Sequence, residues 1–212
     1  MNEESRELHG IARELTAISE SALRYCTDQF DIERFHRIGE IARELMQKGA
    51  RDELPPYDRA VASTAGYTTP KLDVRGAVFD DEGRVLLVRE LLDEGRWTLP
   101  GGWCDEGDTP RGSIEREVLE EAGVPVRATH LAAVLDREVW DHQPPLDHHC
   151  YKLFFVCEAL APVDLDYTSD ETSGVGWFAV DALPELSTSR VLPAQIELLQ
   201  RHWLNPGPAT LD

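Results

Sequence analysis

Residues 102–124, GWCDEGDTPRGSIEREVLEEAGV, place an unusual number of acidic side chains on one short helical segment. Three glutamates, Glu117, Glu120 and Glu121, fall within five consecutive positions of that segment. Like charges three or four residues apart on a helix repel each other by roughly 0.2–0.5 kcal/mol per pair. A bound divalent cation would remove that repulsion and convert it into affinity, because hard cations such as Mg²⁺ take oxygen ligands.

The helix that carries these acids is predicted to open at Thr109–Pro110 and to run to about Ala122. Proline suits the first helical position, and Gly123 is a typical stop signal. Ile114 and Val118 lie on the adjoining arc, so we expect them to pack against a sheet. An acidic helix by itself is more often a solvated surface than a metal site, so the surrounding sequence has to decide between the two interpretations.

The sequence on both sides of this helix alternates between apolar and polar residues with a period of two, which is typical of strands. Predicted strands cover residues 72–79, 84–91, 129–140, 150–160 and 174–180, with a short extended piece near 96–103. A closing helix is predicted over residues 192–203. Strands and helices mix without strict alternation. We therefore predict an α+β fold, an αβα sandwich with a mixed β-sheet between helices.

The N-terminal part of the chain has a different pattern. Residues 1–50 predict two amphipathic helices, at 5–23 and 32–47, with Asp31 as the N-cap of the second. Two helices make a thin core, so their apolar stripes should bury against the rest of the chain or against a second copy. Residues 51–70 are interpreted as a linker, which leaves residues 71–212 as the main domain.

Composition excludes several classes of protein. The chain of 212 residues carries 21 basic and 40 acidic side chains, a net charge of −19. Such a chain should repel nucleic acid and anionic membranes. It contains no apolar run long enough for a membrane span, and its first residues are too charged for a signal peptide. We therefore expect a cytoplasmic protein without nucleic-acid or membrane partners.

Cysteine and histidine residues give weaker signals. The four cysteines include no C-x-x-C pair, so we interpret them as reduced thiols. A zinc site would need three or four well-placed ligands. His142, His148 and His149 cluster in one loop, but ordinary loop histidines are the preferred interpretation.

The spacing within residues 102–124 resembles the Nudix box of the Nudix hydrolase family. That box runs Gly, five residues, Glu, seven residues, then Arg-Glu-aliphatic-x-Glu-Glu-x-Gly-aliphatic. Six of its seven fixed residues match, and Asp108 stands where the box has Glu. The shorter Asp108 could cap the helix, and its contact with Arg116 is left open. The flanking segments WTLPGG (97–102) and WFAVDALPEL (177–186) are also similar to those of Nudix domains.

The resemblance implies a Mg²⁺- or Mn²⁺-dependent enzyme that splits a diphosphate linked to another group. By resemblance, the metal ligands would be Glu117, Glu120, Glu121 and the backbone carbonyl of Gly101. Arg116 would orient the neighbouring glutamates through charge-assisted hydrogen bonds. Glu120 is the preferred general base. Glu171, on a later loop, is the alternative base, and it is also open to interpretation as an ordinary solvated acid.

Candidate substrate contacts lie outside the box. Arg75 and Arg89 each interrupt an apolar strand, which a phosphate or carboxylate partner would explain. A strand position that faces solvent would explain either arginine equally well. Trp97 and Trp103 flank the Gly101–Gly102 pair and could stack on a base, although core packing is the preferred interpretation.

The N-terminal segment ALRYCTDQFDIERFHRIGEIARELM (22–46) resembles the helical extension of a dimeric Nudix subgroup that acts on ADP-ribose-type compounds or CDP-choline. This resemblance implies a homodimer and a small nucleotide substrate. We therefore expect a pyrophosphohydrolase for a nucleoside diphosphate linked to another moiety. Two alternatives remain. One is housecleaning of nucleoside triphosphates or of RNA ends, and the absence of a basic groove counts against RNA. The other is a non-catalytic nucleotide sensor, which usually loses box glutamates.

Overall fold

The computed structural model describes residues 3–50, 69–105 and 107–212. The helices are α1 (Glu3–Tyr25), α2 (Gln29–Ala50), α3 (Pro110–Ala122) and α4 (Pro193–Leu204). The strands are β1 (Lys71–Val78), β2 (Val85–Glu90), β3 (Trp97–Thr98), β4 (Val126–Asp136), β5 (Cys150–Ala159), β6 (Thr172–Phe178) and β7 (Thr210–Leu211). The predicted linker lies outside the described residues, except for residues 69 and 70.

The strands form two sheets. The first has the order β1-β5-β4-β7, in which β5 pairs parallel with β1 and antiparallel with β4. The second is antiparallel with the order β3-β2-β6. The predicted α+β sandwich is confirmed, but its strands are divided between two sheets where one was expected. Side-chain alternation reveals that a segment is a strand without revealing its partner, and β1 and β2 joined by a short turn resembled a simple hairpin.

Strand β2 is buried on both faces, and this makes the domain a sandwich. Val85 and Leu87 belong to one apolar cluster, which also contains residues of α4. Leu86 and Val88 point the other way, into a second cluster with residues of α3. Successive side chains of a strand alternate between the two faces, so a continuous apolar run packs helices on both sides.

Helix α3 lies close against β1 because of one glycine. A Cβ atom built on Gly76 would come within 3.0 Å of Val118 Cγ2 and 3.1 Å of Ile114 Cδ1. Ile114, Val118 and Ala122 are fully buried, as predicted. The absence of a side chain at Gly76 therefore lets the apolar face of α3 lie directly on the strand, and the acidic edge of the helix remains beside it.

The two N-terminal helices and residues 144–149 belong to a compact unit separate from the other elements. Ser19 Oγ on α1 donates to the carbonyl of Phe35 on α2 at 2.6 Å. Helix α2 begins before the predicted cap. Asp28 Oδ1 accepts the N–H groups of Phe30 and Asp31, so the predicted capping role of Asp31 is wrong. The local side chain–backbone bond of Asp28 starts the helix one turn earlier.

Large apolar side chains remain exposed on these two helices: Ile11, Ile18, Tyr25, Phe30 and Ile41. Throughout the part of the chain that the structure describes, no helix has both the length and the hydrophobicity that crossing a bilayer requires.

Candidate active site

Helix α3 has well-defined ends. Thr109 is the N-cap, and its hydroxyl accepts the N–H of Gly112 at 3.1 Å. The suggested capping role of Asp108 is therefore wrong, because the threonine next to Pro110 already supplies the acceptor. Asp108 Oδ2 lies instead 3.3 Å from Arg116 Nη2. The shorter side chain thus still reaches the arginine.

Arg116 lies at the centre of a carboxylate network. Its Nη1 is 3.0 Å from Glu117 Oε1 and 2.9 Å from Glu120 Oε2. Its Nη2 reaches Asp105 Oδ2 at 3.5 Å in addition to Asp108. An exposed ion pair contributes little stability by itself, but one guanidinium shared by several acids restricts where they can point.

The three glutamates of α3 differ in their surroundings. Glu121 is 5% exposed, and its Oε2 accepts the N–H of Gly101 at 2.9 Å. Glu117 is also buried, and a Cβ atom on Gly102 would lie 3.0 Å from its Oε2. Glu120 is exposed. Two carboxylates thus face the Gly101–Gly102 turn, and the third is exposed to solvent.

Gly101 cannot be replaced without moving β1. Its φ is +142°, and a Cβ atom there would lie 2.0 Å from the carbonyl oxygen of Val74. Strand β1 donates hydrogen bonds to the carbonyls on either side of it, from Val74 to Gly102 at 2.8 Å and from Gly76 to Pro100 at 2.9 Å. These bonds hold the turn against the strand at the point where α3 presents its acids.

Burial raises the pKa of two of these acids. The pKa of Glu121 rises to about 7, although Arg75 and the N–H of Gly101 favour its charged form. Burial likewise raises the pKa of Glu117. Carboxylate oxygens are hard ligands, so the chemistry of this donor set suits a divalent cation.

The acidic side chains are not grouped around one common point. Over residues 3–50, 69–105 and 107–212, no three His, Cys, Asp or Glu side chains are grouped closely enough to hold a metal ion. Arg116 engages two of the glutamates that a metal would need. Metal binding would therefore have to exchange those contacts with the guanidinium for contacts with the ion.

Arg75 belongs to a buried charge triad. It is 4% exposed and grips Asp73 with Nε at 3.0 Å and Nη2 at 2.7 Å. Its Nη1 donates to the carbonyl of Leu99 at 3.2 Å, and Lys152 Nζ donates to Asp73 at 2.5 Å. Burial alone would raise the pKa of Asp73, but the two cations hold it at about 2.

This triad changes the interpretation of Arg75. The solvent-facing alternative is wrong, because the side chain is buried. A direct contact with phosphate would require Asp73 to release the guanidinium. The sequence displays an arginine in an apolar strand but does not reveal that Asp73, on the same face two residues earlier, is its partner.

The other predicted residues differ in their exposure to solvent. Arg89 is exposed, and its Nε donates to the carbonyl of Gly95 at 2.9 Å. Glu171 is exposed too, and its carbonyl accepts the N–H of Leu91 at 2.9 Å. Trp97 packs edge-on against Phe178 with ring centroids 4.7 Å apart, in agreement with core packing.

Trp103 remains 42% exposed beside the turn. The ammonium group of Lys71 lies 5.5 Å from the centre of its ring. Trp103 thus keeps the solvent access that stacking on a base would require.

His142 has a structural position. Its Nδ1–H donates to the carbonyl of Thr188 at 2.9 Å, and its Nε2 accepts from Gln195 Nε2 at 2.9 Å. Burial lowers its pKa to about 3. Both ring nitrogens are therefore engaged with neighbours, in agreement with the ordinary-histidine interpretation.

Sequence reasoning also missed a buried acid that influences Glu121. Glu90 is 4% exposed, pairs with Arg190 Nε at 3.2 Å, and adds to the rise in the pKa of Glu121. It has the same parity on β2 as Leu86 and Val88, which face α3. That period of two was the available signal, because Glu90 lies within the strand predicted over residues 84–91.

Comparison with known families agrees with this geometry. The family model of the NUDIX domain matches residues 69–201, which is well over half of the chain. The chain belongs to the Nudix hydrolase family. A second model, described as the UDP-X-like N-terminal oligomerisation domain, matches residues 6–55 of this Nudix hydrolase.

Two similar Nudix proteins match nearly the whole chain, and a third matches 68% of it. A Bacillus subtilis (strain 168) protein, YjhB, provisionally named an ADP-ribose pyrophosphatase, is 35% identical over 94% of both chains. The crystal structure of a UDP-X diphosphatase superposes with a TM-score of 0.62 at 29% identity, over 98% of this chain and 99% of that one. An ADP-ribose pyrophosphatase from Streptococcus suis 89-1591 has a TM-score of 0.60 and 32% identity, over 68% of this chain and all of its own.

Removal of Asp73 should destabilise this Nudix hydrolase strongly. Asp73→Ala leaves the buried charges of Arg75 and Lys152 without their partner, and we expect the free energy of unfolding to fall by about 3–5 kcal/mol. Urea denaturation measures it. The control is Glu158→Ala, which breaks the exposed Arg127–Glu158 pair and should cost less than about 1 kcal/mol. Equal losses in the two variants would contradict the assigned role of the triad.

The pH dependence of stability should report on Glu121. Its pKa is raised from 4.5 to about 7 in the folded chain, so between these values the folded state holds a proton that the unfolded state has lost. In EDTA, stability should therefore fall as the pH rises from about 4.5 to about 7. Glu121→Gln should flatten part of that slope and exceed the wild type in stability above pH 7.

Urea unfolding at pH 5, 6, 7 and 8 tests this expectation. Glu197→Gln, an exposed position on α4, is the matched control and should keep the slope of the wild type. Identical slopes in the wild type and Glu121→Gln would contradict the assignment.

Proposed function

We propose that this Nudix hydrolase is a metal-dependent pyrophosphohydrolase that splits the diphosphate of a nucleoside diphosphate linked to a second moiety. One observation carries the proposal: Glu117 and Glu121 face the Gly101–Gly102 turn, and Arg116 holds the adjacent Glu120. The relatives named for ADP-ribose and UDP-X support the substrate class, because both names describe a nucleoside diphosphate joined to another group. ADP-ribose, UDP-linked compounds and CDP-choline are the leading candidates.

Divalent metal is part of this proposal. Glu117, Glu120, Glu121 and the backbone carbonyl of Gly101 would hold Mg²⁺ or Mn²⁺. When bound, such an ion neutralises phosphate charge and lowers the pKa of a coordinated water. The net charge of −19 favours a cation between protein and substrate, because both partners are negative. Arg116 would keep the carboxylates oriented while the ion is absent.

The chain itself must also accept a proton. A water oxygen attacks one phosphorus atom, the bridging P–O bond breaks, and the products are a nucleoside monophosphate and the phosphate ester of the second moiety. We propose the carboxylate of Glu120 as the acceptor of the proton of that water, because Glu120 is the exposed member of the three. Glu171 is the second candidate.

We propose that exposed residues make the direct contacts with the substrate. Arg89 is the proposed phosphate contact, because it retains the solvent access that Arg75 lacks. Arg75 contributes by holding the carbonyl of Leu99, two residues before Gly101. Trp103, exposed beside the turn, is the proposed surface for a base.

We also propose that the protein is a homodimer formed through α1 and α2. The description of the N-terminal family model as an oligomerisation domain supports this assembly. The exposed apolar side chains of the two helices support it as well, since contiguous apolar surface on a helix pair favours burial against a second copy.

A substrate panel tests the enzymatic proposal. ADP-ribose, UDP-glucose, CDP-choline, NADH, diadenosine polyphosphates and nucleoside triphosphates are incubated with Mg²⁺ or Mn²⁺, and the phosphate-containing products are identified. We expect cleavage of nucleoside diphosphates linked to a second moiety, and loss of that cleavage in EDTA. Preferred cleavage of triphosphates would reassign the enzyme to housecleaning, and binding without cleavage would indicate a nucleotide sensor.

Substitution of Glu120 should separate catalysis from folding. Glu120→Gln should lower kcat/KM by about two orders of magnitude or more, because the carboxylate both holds metal and accepts the proton. Its circular dichroism spectrum and its free energy of unfolding should match those of the wild type, since the side chain is exposed. Glu171→Gln, assayed in parallel, should retain more activity; a larger loss there would transfer the role of base to Glu171.

Analytical ultracentrifugation of the full chain tests the dimer. We expect the mass of a dimer for the wild type and a shift toward monomer for the double variant Ile18→Glu/Phe30→Glu, which places charge among exposed apolar residues of α1 and α2. Leu204→Glu is the control, an exposed leucine at the end of α4. A monomeric wild type, or a double variant that stays dimeric, would refute this interface.

A further inference from the structure

Two hydroxyl groups from one short segment meet the end of α3. Gly123 caps the helix with φ +67°, and its N–H donates to the carbonyl of Leu119 at 3.0 Å. The next two carbonyls belong to Glu120 and Glu121, and at a helix C-terminus such groups lack intrahelical partners. Tyr167 Oη donates to the carbonyl of Glu120 at 3.0 Å. Thr172 Oγ1 donates to the carbonyl of Glu121 at 2.7 Å.

The hydroxyl of Thr172 is oriented by a further hydroxyl. Ser169 Oγ accepts the N–H groups of Thr172 at 3.0 Å and Glu171 at 3.2 Å. It also lies 2.9 Å from Thr172 Oγ1. Because the single proton of Thr172 Oγ1 goes to Glu121, Ser169 must be the donor between the two hydroxyls. The result is a directed chain from Ser169 through Thr172 to Glu121, in which each bond polarises the next.

Packing fixes the same segment independently of these bonds. Thr172 is fully buried and pairs with Glu90 across β2 and β6. The ring of Tyr167 lies so close to the helix cap that a Cβ atom on Gly123 would come within 2.4 Å of its Cδ2. A helix end that would otherwise fray is therefore held at its last turn by a rigid neighbour.

We infer that Tyr167 and Thr172 are positioning residues, which clamp the last turn of α3 so that the carboxylates of Glu120 and Glu121 are held ready for a divalent cation. This inference rests on the proposed function. The carbonyl and the side chain of one residue share a Cα atom, so fixing the carbonyl limits the directions that the carboxylate can take. Glu171, the residue directly before Thr172, is thereby held in a fixed position relative to Glu120 and Glu121.

The clamp differs from the contacts already assigned to the site. Arg116 and Gly101 engage the carboxylate groups themselves, whereas Tyr167 and Thr172 bind the two glutamates only through their backbone carbonyls. Partners of metal ligands that lie one step away typically change metal affinity by 10- to 100-fold when they are removed. We therefore expect that removal of either hydroxyl weakens metal binding by more than its loss of stability would explain.

Conservative variants test the clamp in the full chain. Thr172→Val removes the hydroxyl at nearly constant volume, Thr172→Ser retains it, and Tyr167→Phe removes only the phenolic oxygen. Thr129→Val is the matched control, since it deletes a hydroxyl that donates to a strand carbonyl, that of Val156, at 3.0 Å. Binding of Mn²⁺ alone is measured by isothermal titration calorimetry, and stability by urea unfolding in EDTA.

We expect Thr172→Val and Tyr167→Phe each to weaken Mn²⁺ binding by about tenfold or more, and Thr172→Ser to remain within about threefold of the wild type. Thr129→Val should bind Mn²⁺ as the wild type does, whatever stability it loses. Should Thr172→Val fail to fold, Tyr167→Phe decides, because Tyr167 is only partly buried.

Two failures are distinguishable. Wild-type affinity for Mn²⁺ in folded Thr172→Val and Tyr167→Phe would overturn the clamp and leave the proposed function intact. A wild type that neither binds Mn²⁺ nor cleaves any diphosphate would overturn both.

Discussion

The site depends on a helix that must be apolar on one arc and acidic on the next. Helix α3 meets both demands because Gly76 lets Ile114 and Val118 lie directly on β1. A Cβ atom at position 76 would lie 3.0 Å from Val118 Cγ2 and 3.1 Å from Ile114 Cδ1, so this contact would have to loosen to accept a side chain. The acidic edge is therefore positioned by an apolar contact on the neighbouring arc, which burial of hydrocarbon stabilises.

The buried acids Asp73 and Glu121 differ in how much positive charge the chain places beside them. Where a cation belongs to the chain, as with Asp73 between Arg75 and Lys152, the pKa of the acid is low and its charge is permanent. Where the chain provides too little positive charge, as with Glu121, the pKa rises to about 7. Burial is common to both places, so the supply of cations distinguishes a structural charge cluster from a site that is suited to an added ion.

Much of the fold was accessible from the sequence because local signals agree with one another. Proline at the start of α3, glycine at its end and apolar residues between them all indicate the same helix, and its limits were predicted closely. The division of strands between two sheets was not accessible, since alternation describes a strand and not its neighbour. The start of α2 was missed because Asp28 and Asp31 are equally suitable caps, and only the backbone of the folded chain selects Asp28.

Only part of the candidate site could be predicted from the sequence. The positions of its glutamates follow from helical spacing, whereas Glu90, Tyr167 and Thr172 act through contacts between segments that are distant in the sequence. Arg75 illustrates the same limit, because Lys152, the second cation bound to its partner Asp73, lies 79 residues beyond Asp73. Residue identity reveals that a charge is present, but only the fold reveals which opposite charge already neutralises it.

The pairing of arginines in this region bears on how the site attracts a substrate. Arg75 is held by Asp73, Arg116 by the α3 glutamates and Arg190 by Glu90. Each of these cations thus already compensates a carboxylate of the chain, and moving one to a phosphate would leave that carboxylate buried or crowded without its partner. A substrate with several negative charges therefore gains most from positive charge that arrives with it. The arginines of the chain therefore stabilise its own acids at the places where the fold buries them. The carboxylates at the edge of α3 retain negative charge that a cation from solution can neutralise.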